Sequence, residues 1–318
     1  MTNRKQKQID CVLKKLNQVS GIDLPGIEDP NRKYVFVQQV VDSIRRIQYV
    51  QHLSQTKLDA LRANPYSELF DPLKAAVINI REGENDEAFW LLFLATHFGK
   101  SQAYGWGIVA DVYGGRGECD IWTWDNITKN FSDFDTWFKR ASVDISNEKE
   151  KLKFNNHRKY QSFRYDTACS VPKVIKSYLD FIGTHHSHAA KIAEAEYATG
   201  NDKTLMFDYF YKGMKKNVKS FSRLGIFDLL TMWRKLNLVD FYPQYAYIAG
   251  STGPRPGATL LFYGYESGID AKTLEAKLAE LSDQMALGPL AMQILEDSLC
   301  NWQKSPDRYK LFLSLKQI

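Results

Sequence analysis

Ser170-Val171-Pro172-Lys173-Val174-Ile175-Lys176-Ser177-Tyr178-Leu179-Asp180-Phe181-Ile182-Gly183 carries the signature that decides the fold. Val174, Ile175, Tyr178, Leu179 and Ile182 recur at helical spacing and share one face, while Lys173 and Lys176 project from the opposite side. Ser170 suits the N-cap, and Pro172 suits the first turn, where a missing N–H costs nothing. Gly183 ends the segment where a left-handed residue is wanted. The same punctuation predicts helices over 5–19, 34–53, 71–81, 86–98, 133–143, 187–199, 204–217, 226–236, 272–285 and 289–303. Strand-like alternation is scarce, so the chain reads as mainly α.

Next along this scheme stands Asp86 to Phe98. Phe89-Trp90-Leu91-Leu92-Phe93-Leu94 leaves a helix no polar side, and a helix without one runs through the middle of a protein. His97, Gly99 and Lys100 follow at its end, where a cation is favoured by roughly 0.3–1 kcal/mol. Lys100 therefore reads as a cap or as a ligand-facing cation.

The chain has 318 residues, 44% hydrophobic and 25% charged, which excludes wholesale disorder and is long enough for one large core or two abutting lobes. Residues 1–20 read as a basic arm or first helix and 21–318 as a single helical domain with no visible internal boundary. The longest apolar run, Ala88 to Ala95, is too short to cross a bilayer, and the start lacks the apolar core of a signal peptide. A soluble cytoplasmic protein that engages no membrane is the expectation. Cys11, Cys119, Cys169 and Cys300 form no C-x-x-C pair and read as reduced, mostly buried thiols.

Charge is unevenly distributed. Residues 149–235 hold seventeen Lys and Arg against eight Asp and Glu, a local net charge of +9 against +5 for the whole chain, so the remainder carries −4. Such asymmetry is the footprint of a face that binds a polyanion, and nucleic acid is the partner it suggests. Within the segment, Tyr209-Phe210-Tyr211 precedes Lys212, Lys215, Lys216 and Lys219.

Four constellations carry candidate chemistry. Asn156-His157-Arg158-Lys159-Tyr160-Gln161-Ser162-Phe163-Arg164 mixes four potential cations with aromatics. Arg158, Lys159 and Arg164 are candidates to hold phosphates, Tyr160 to stack on a displaced base, and His157 to contact phosphate or move a proton; the competing reading is a basic interhelical connection. In His185-His186-Ser187-His188, a Ser187 cap would place His188 and Lys191 three apart on one turn, as a polar helix start or a phosphate contact. No H-E-x-x-H or cysteine pair completes a zinc set, and no metal is assigned. Gly250-Ser251-Thr252-Gly253-Pro254-Arg255-Pro256-Gly257 lacks the Gly-Lys-Ser/Thr ending of a nucleotide-hydrolysing loop and reads as a rigid loop that holds Arg255 toward an anion, or as a connector with a solvated Arg. Asp228, among apolar neighbours after Gly225, either caps a helix or serves as a base.

Taken in order, Phe89 to Lys100, Asn156 to Tyr160, Phe227-Asp228-Leu229-Leu230-Thr231-Met232, Ser251 to Ala258 with Leu260-Leu261-Phe262, and Leu295 to Gln303 resemble the alpha-glutamyl/putrescinyl thymine pyrophosphorylase family, most closely its clade 3. The resemblance implies a two-lobed helical fold related to helix-hairpin-helix DNA glycosylases and chemistry on thymine-derived bases in DNA. It further implies that an amino acid or polyamine replaces phosphate or pyrophosphate on an activated 5-hydroxymethyluracil, with DNA and a small amine as partners and no cofactor. Under that scheme His97, Lys100, His157, Arg158 and Arg255 are candidates to stabilise the departing phosphate, and Asp228 to act as base or amine-positioning carboxylate. A glycosylase or lyase using Lys100 or Lys191, and a non-catalytic DNA-binding module, are the competing readings.

Overall fold

The computed structural model describes residues 3–147, 162–265 and 268–311. Its helices in chain order are α1 (Asn3–Asn17), α2 (Pro30–Leu53), α3 (Pro72–Glu82), α4 (Asn85–Phe98), α5 (Gly107–Tyr113), α6 (Trp124–Lys129), α7 (Phe131–Asn147), α8 (Val171–Ile182), α9 (His188–Thr199), α10 (Lys203–Asn217), α11 (Arg223–Lys235), α12 (Pro254–Tyr263), α13 (Ala271–Met285) and α14 (Ala291–Trp302). Among the described residues extended structure is confined to two isolated bridges, Ser101 with Gly105 and Ser162 with Ser170. The protein is mainly α, and no described helix is long and apolar enough to cross a membrane.

The chain divides into two compact units, residues 1–52 with 242–318, and residues 53–241. In the first, α13 shows how sequence makes packing. Leu274, Leu278, Leu281 and Met285 recur at helical spacing and are all wholly buried, and each such side chain contributes roughly 1.5–3 kcal/mol by leaving water. They meet Ile9, Val12 and Leu16 of α1 in one core, so the basic N-terminal residues form a docked helix. α12 runs between the turn at Pro25–Ile27 and α14 at backbone contact: a Cβ on Gly26 would lie 2.1 Å from the Leu260 carbonyl oxygen, and one on Gly257 2.5 Å from that of Leu299.

The second unit is built around α4, which packs against α3, α5, α6, α9 and α11. Ala88 through Ala95 are buried without a break, as the absence of a polar side predicts. Aromatic rings cement it: Phe93 stacks on Tyr178 at 3.9 Å and on Phe221 at 5.0 Å, and Phe89 meets Trp233 edge-on at 4.8 Å. Glu87 shows how a polar group inside this unit finds partners. The half-buried Glu87 accepts from the Tyr113 hydroxyl at 2.6 Å and from the Trp124 N–H at 2.5 Å, thereby serving the first turn of α6. Burial nonetheless pushes the Glu87 pKa up, against the opposing effect of those two bonds.

Three expectations differ from the structure. The stretch from Pro254 is helical: Pro254 and Pro256 both fall in the first turn of α12, where their missing N–H groups have no intrahelical partner to lose. α11 begins at Arg223 behind Ser222 and runs through Gly225, which places Asp228 inside the helix rather than at its cap. The cysteines are free, but Cys11 is exposed and Cys119, Cys169 and Cys300 are only partly covered.

Candidate nucleic-acid interface

A basic site of the second unit lies where α8, α9 and α10 meet. Asp202 caps α10, its carboxylate accepting from the Thr204 and Leu205 N–H groups at 2.8 and 2.9 Å. Ser187 caps α9 by accepting from the Ala190 N–H. Lys212 and Lys216 of α10, with Lys219 just beyond its end, line one pocket of about 680 Å³ together with Phe181 and Asp180 of α8 and Lys191 of α9. Gly213 permits this approach, since a Cβ there would stand 2.8 Å from the Phe181 ring.

Each pocket cation is held differently. Lys191 bonds to Glu194 at 3.0 Å, and its ammonium lies 5.1 Å from the Phe181 ring centre and 5.8 Å from that of Tyr209. Glu194 also accepts from the Tyr209 hydroxyl. These bonds, from Tyr209 and then Lys191, hold the Glu194 carboxyl below its ordinary range, while burial and then Glu194 push the Tyr209 phenol up to about 12. Lys212 pairs with Asp208 at 2.5 Å, and Asp180 pairs with Lys176 outside the pocket. Among the described residues Lys216 and Lys219 have no carboxylate partner, so their charge is open to an anion.

The start of α9 carries a buried polar chain. His188, the first residue of α9, is 1% exposed; its Nδ1 lies 2.6 Å from Asp86 Oδ1 and its Nε2 2.7 Å from the Tyr178 hydroxyl. The His188 N–H also donates to Asp86 at 2.8 Å, and the imidazole stacks on Phe89 at 4.4 Å. Burial lowers the His188 pKa more than Asp86 raises it, so the ring is neutral, donating to Asp86 and accepting from Tyr178. Burial opposes ionisation of Asp86, but the bonds from the His188 ring and main chain prevail and lower its pKa. Both ring nitrogens are engaged, and no group of three or more His, Cys, Asp or Glu among the described residues could hold a metal ion.

A family model described as alpha-glutamyl/putrescinyl thymine pyrophosphorylase clade 3 matches residues 31–314. The chain belongs to this family. Comparisons with curated proteins and with solved structures give no match.

For this thymine pyrophosphorylase-family chain, the residues singled out in the sequence fall on several elements. Lys191 is brought together with Phe181, Tyr209 and the α10 lysines. His97, at the end of α4, is wholly enclosed, stacked near-parallel with Phe93 and Phe221 at 6.0 and 6.1 Å and edge-on to Phe98 at 4.6 Å. Lys100 stands two residues past the same helix, its ammonium 5.9 Å from the Trp106 ring. Asp228 is half-buried in the middle of α11, between the enclosed Phe227 and Leu229. Arg164 is exposed and forks onto Asp166 at 2.8 and 3.2 Å. Arg255 belongs to the other unit, where its N–H is capped by Ser251 and its guanidinium donates to the Ile269 carbonyl at 2.9 Å. His157, Arg158, Lys159 and Tyr160 lie outside the described residues.

Sequence reasoning passed over the pairing of Phe181 with Gly213 and the convergence of Lys212, Lys216 and Lys219. A signal was present, because a step of four residues places Lys212 and Lys216 on one side of a helix.

Proposed function

We propose that the protein modifies a thymine-derived base in DNA, replacing the phosphate or pyrophosphate on an activated 5-hydroxymethyluracil with an amine from an amino acid or polyamine. The observation that carries this reading is family membership over residues 31–314, in a chain whose positive charge concentrates in 149–235. In the reaction the amine nitrogen forms a bond to the exocyclic methylene, the bond from that carbon to the phosphate oxygen breaks, and the electron pair leaves with the phosphate. The attacking nitrogen must shed a proton. Asp228, an acid among apolar neighbours, is assigned as its acceptor or as the carboxylate that positions the amine.

Cations neutralise the departing charge. Lys100, His157 and Arg158 are assigned to it, with Lys159, Arg164 and Lys191 along the DNA backbone and His97 supporting from within the core. Tyr160 is assigned as the platform for the target base, which must leave the stack before it can be worked on.

The test incubates the full chain with DNA bearing phosphorylated 5-hydroxymethyluracil and a pool of amines, then digests the DNA and weighs the nucleosides. An amine-substituted thymine is the expected product. Unchanged nucleosides across the pool would overturn the reading, and an excised base, or a borohydride-trapped adduct, would replace it with glycosylase or lyase chemistry. Asp228→Asn should abolish transfer while DNA affinity stays nearly intact; full activity of that variant would remove Asp228 from the scheme.

A further inference from the structure

We infer that the pocket between α8, α9 and α10 is a phosphate-binding subsite, with Lys216 and Lys219 as its principal cations and Lys191 and Lys212 at its margin. Four of the ten lining residues are lysines and one is an acid, Asp180, which is already paired with Lys176. Lys191 and Lys212 are largely neutralised by Glu194 and Asp208. Among the described residues the field that remains comes from Lys216 and Lys219, and two ammonium groups without a carboxylate partner there suit a doubly charged phosphate, a pyrophosphate or two phosphodiesters.

The site is built rather than incidental. The Ser177 hydroxyl accepts from the Lys219 N–H at 2.9 Å and donates to the Val174 carbonyl at 2.7 Å, so the backbone that carries Lys219 is anchored to α8. Lys216 lies in the last turn of α10, where the helix dipole favours its charge. Asp86, His188 and Tyr178 fix the start of α9, the helix that carries Lys191, to α8 and α4 through buried hydrogen bonds. A pocket whose cations are positioned in advance spends little ordering free energy on its ligand. Its apolar floor, Phe181, excludes water on one side and strengthens the remaining charge.

Phosphate can reach this pocket from two sources, a DNA strand passing the basic face or the pyrophosphate that the reaction would release. Both rest on the reading of the protein as a DNA-modifying enzyme, but each can be measured without turnover. Binding to the full chain would be followed with a fluorescein-labelled single-stranded 15-mer across a salt series, and with inorganic pyrophosphate by calorimetry. The variants are K216A/K219A and, for comparison, K7A/K14A, which removes two exposed lysines of α1.

If a strand occupies the site, K216A/K219A lowers the slope of log affinity against log salt by about 1.4, or about 25-fold in affinity at 0.1 M salt, because each single-strand phosphate contact contributes about 0.7. If pyrophosphate occupies it, the same variant loses the calorimetric signal while strand affinity holds. Charge-preserving K216R/K219R should retain whichever binding K216A/K219A loses. Binding of both probes that survives K216A/K219A unchanged, losses matched by K7A/K14A, or no binding of either probe by the unaltered chain would overturn the assignment. Retained transfer activity alongside any of these results would leave the modification reading standing without the pocket, and lost activity with intact phosphate binding would do the reverse.

Discussion

His188 joins three helices through one imidazole, and its protonation state decides whether that junction is favourable. In the folded chain burial holds its pKa below the ordinary 6.5. The unfolded chain therefore takes up a proton, as pH falls below 6.5, that the folded chain refuses, and stability drops in that direction. Asp86, whose pKa is also lowered, adds a further loss at still lower pH. Urea midpoints recorded between pH 7.5 and 5 should fall more steeply for the native chain than for His188→Gln; equal slopes would show that the ring does not titrate with folding. The Ser187 cap and the three-residue step from His188 to Lys191 were legible in the sequence. The enclosure of His188 was not, because its acidic partner lies 102 positions away and nothing local marks that pairing. Asp228 shows the same limit: an acid beside a glycine reads as a cap, yet the helix had already begun at Arg223.

Helices 171–182, 187–199 and 204–217 follow from spacing and start signals, and Ser187 and Asp202 do cap the second and third, whereas Ser170 holds the N-cap position of the first without a side-chain cap hydrogen bond. α12 escaped because two prolines and a glycine dominate its first turn behind a glycine N-cap, and it packs along α14. Gly257→Ala should therefore destabilise the protein despite alanine's better helix propensity. The new methyl would meet the Leu299 carbonyl, a backbone atom that cannot swing aside, and such overpacking costs about 1–3 kcal/mol. A lowered urea midpoint would report it, and a gain in stability would refute the contact. α10 depends on a cap instead. Asp202→Ala should cost about 1 kcal/mol, lowering the thermal midpoint by roughly 2–4 °C for a unit of this size, and an unchanged melting profile would deny the cap that role. α5 and α6, of seven and six residues, are too short for periodicity to declare them.

The charge imbalance that marks the middle of the chain survives folding in part, since Lys176, Lys203, Lys212 and Arg164 each meet a carboxylate. Net charge read from sequence therefore overstates the field a polyanion meets, and the response to salt is the proper measure. Arg158→Ala should reduce the salt slope for duplex DNA by about 1, and an unaltered slope would remove its guanidinium from the backbone. The family was legible because its motifs lie in order along the chain; the division of the fold was not, because residues 1–52 and 242–318 close one core across 189 intervening positions. That nesting governs synthesis. As the ribosome extends the polypeptide, residues 53–241 emerge with every partner they need, whereas α1 and α2 must wait for α12, α13 and α14 to be made. Nascent chains arrested near residue 280, with 53–241 clear of the exit tunnel, should protect the inserted segment from protease while leaving the first fifty residues open to cleavage.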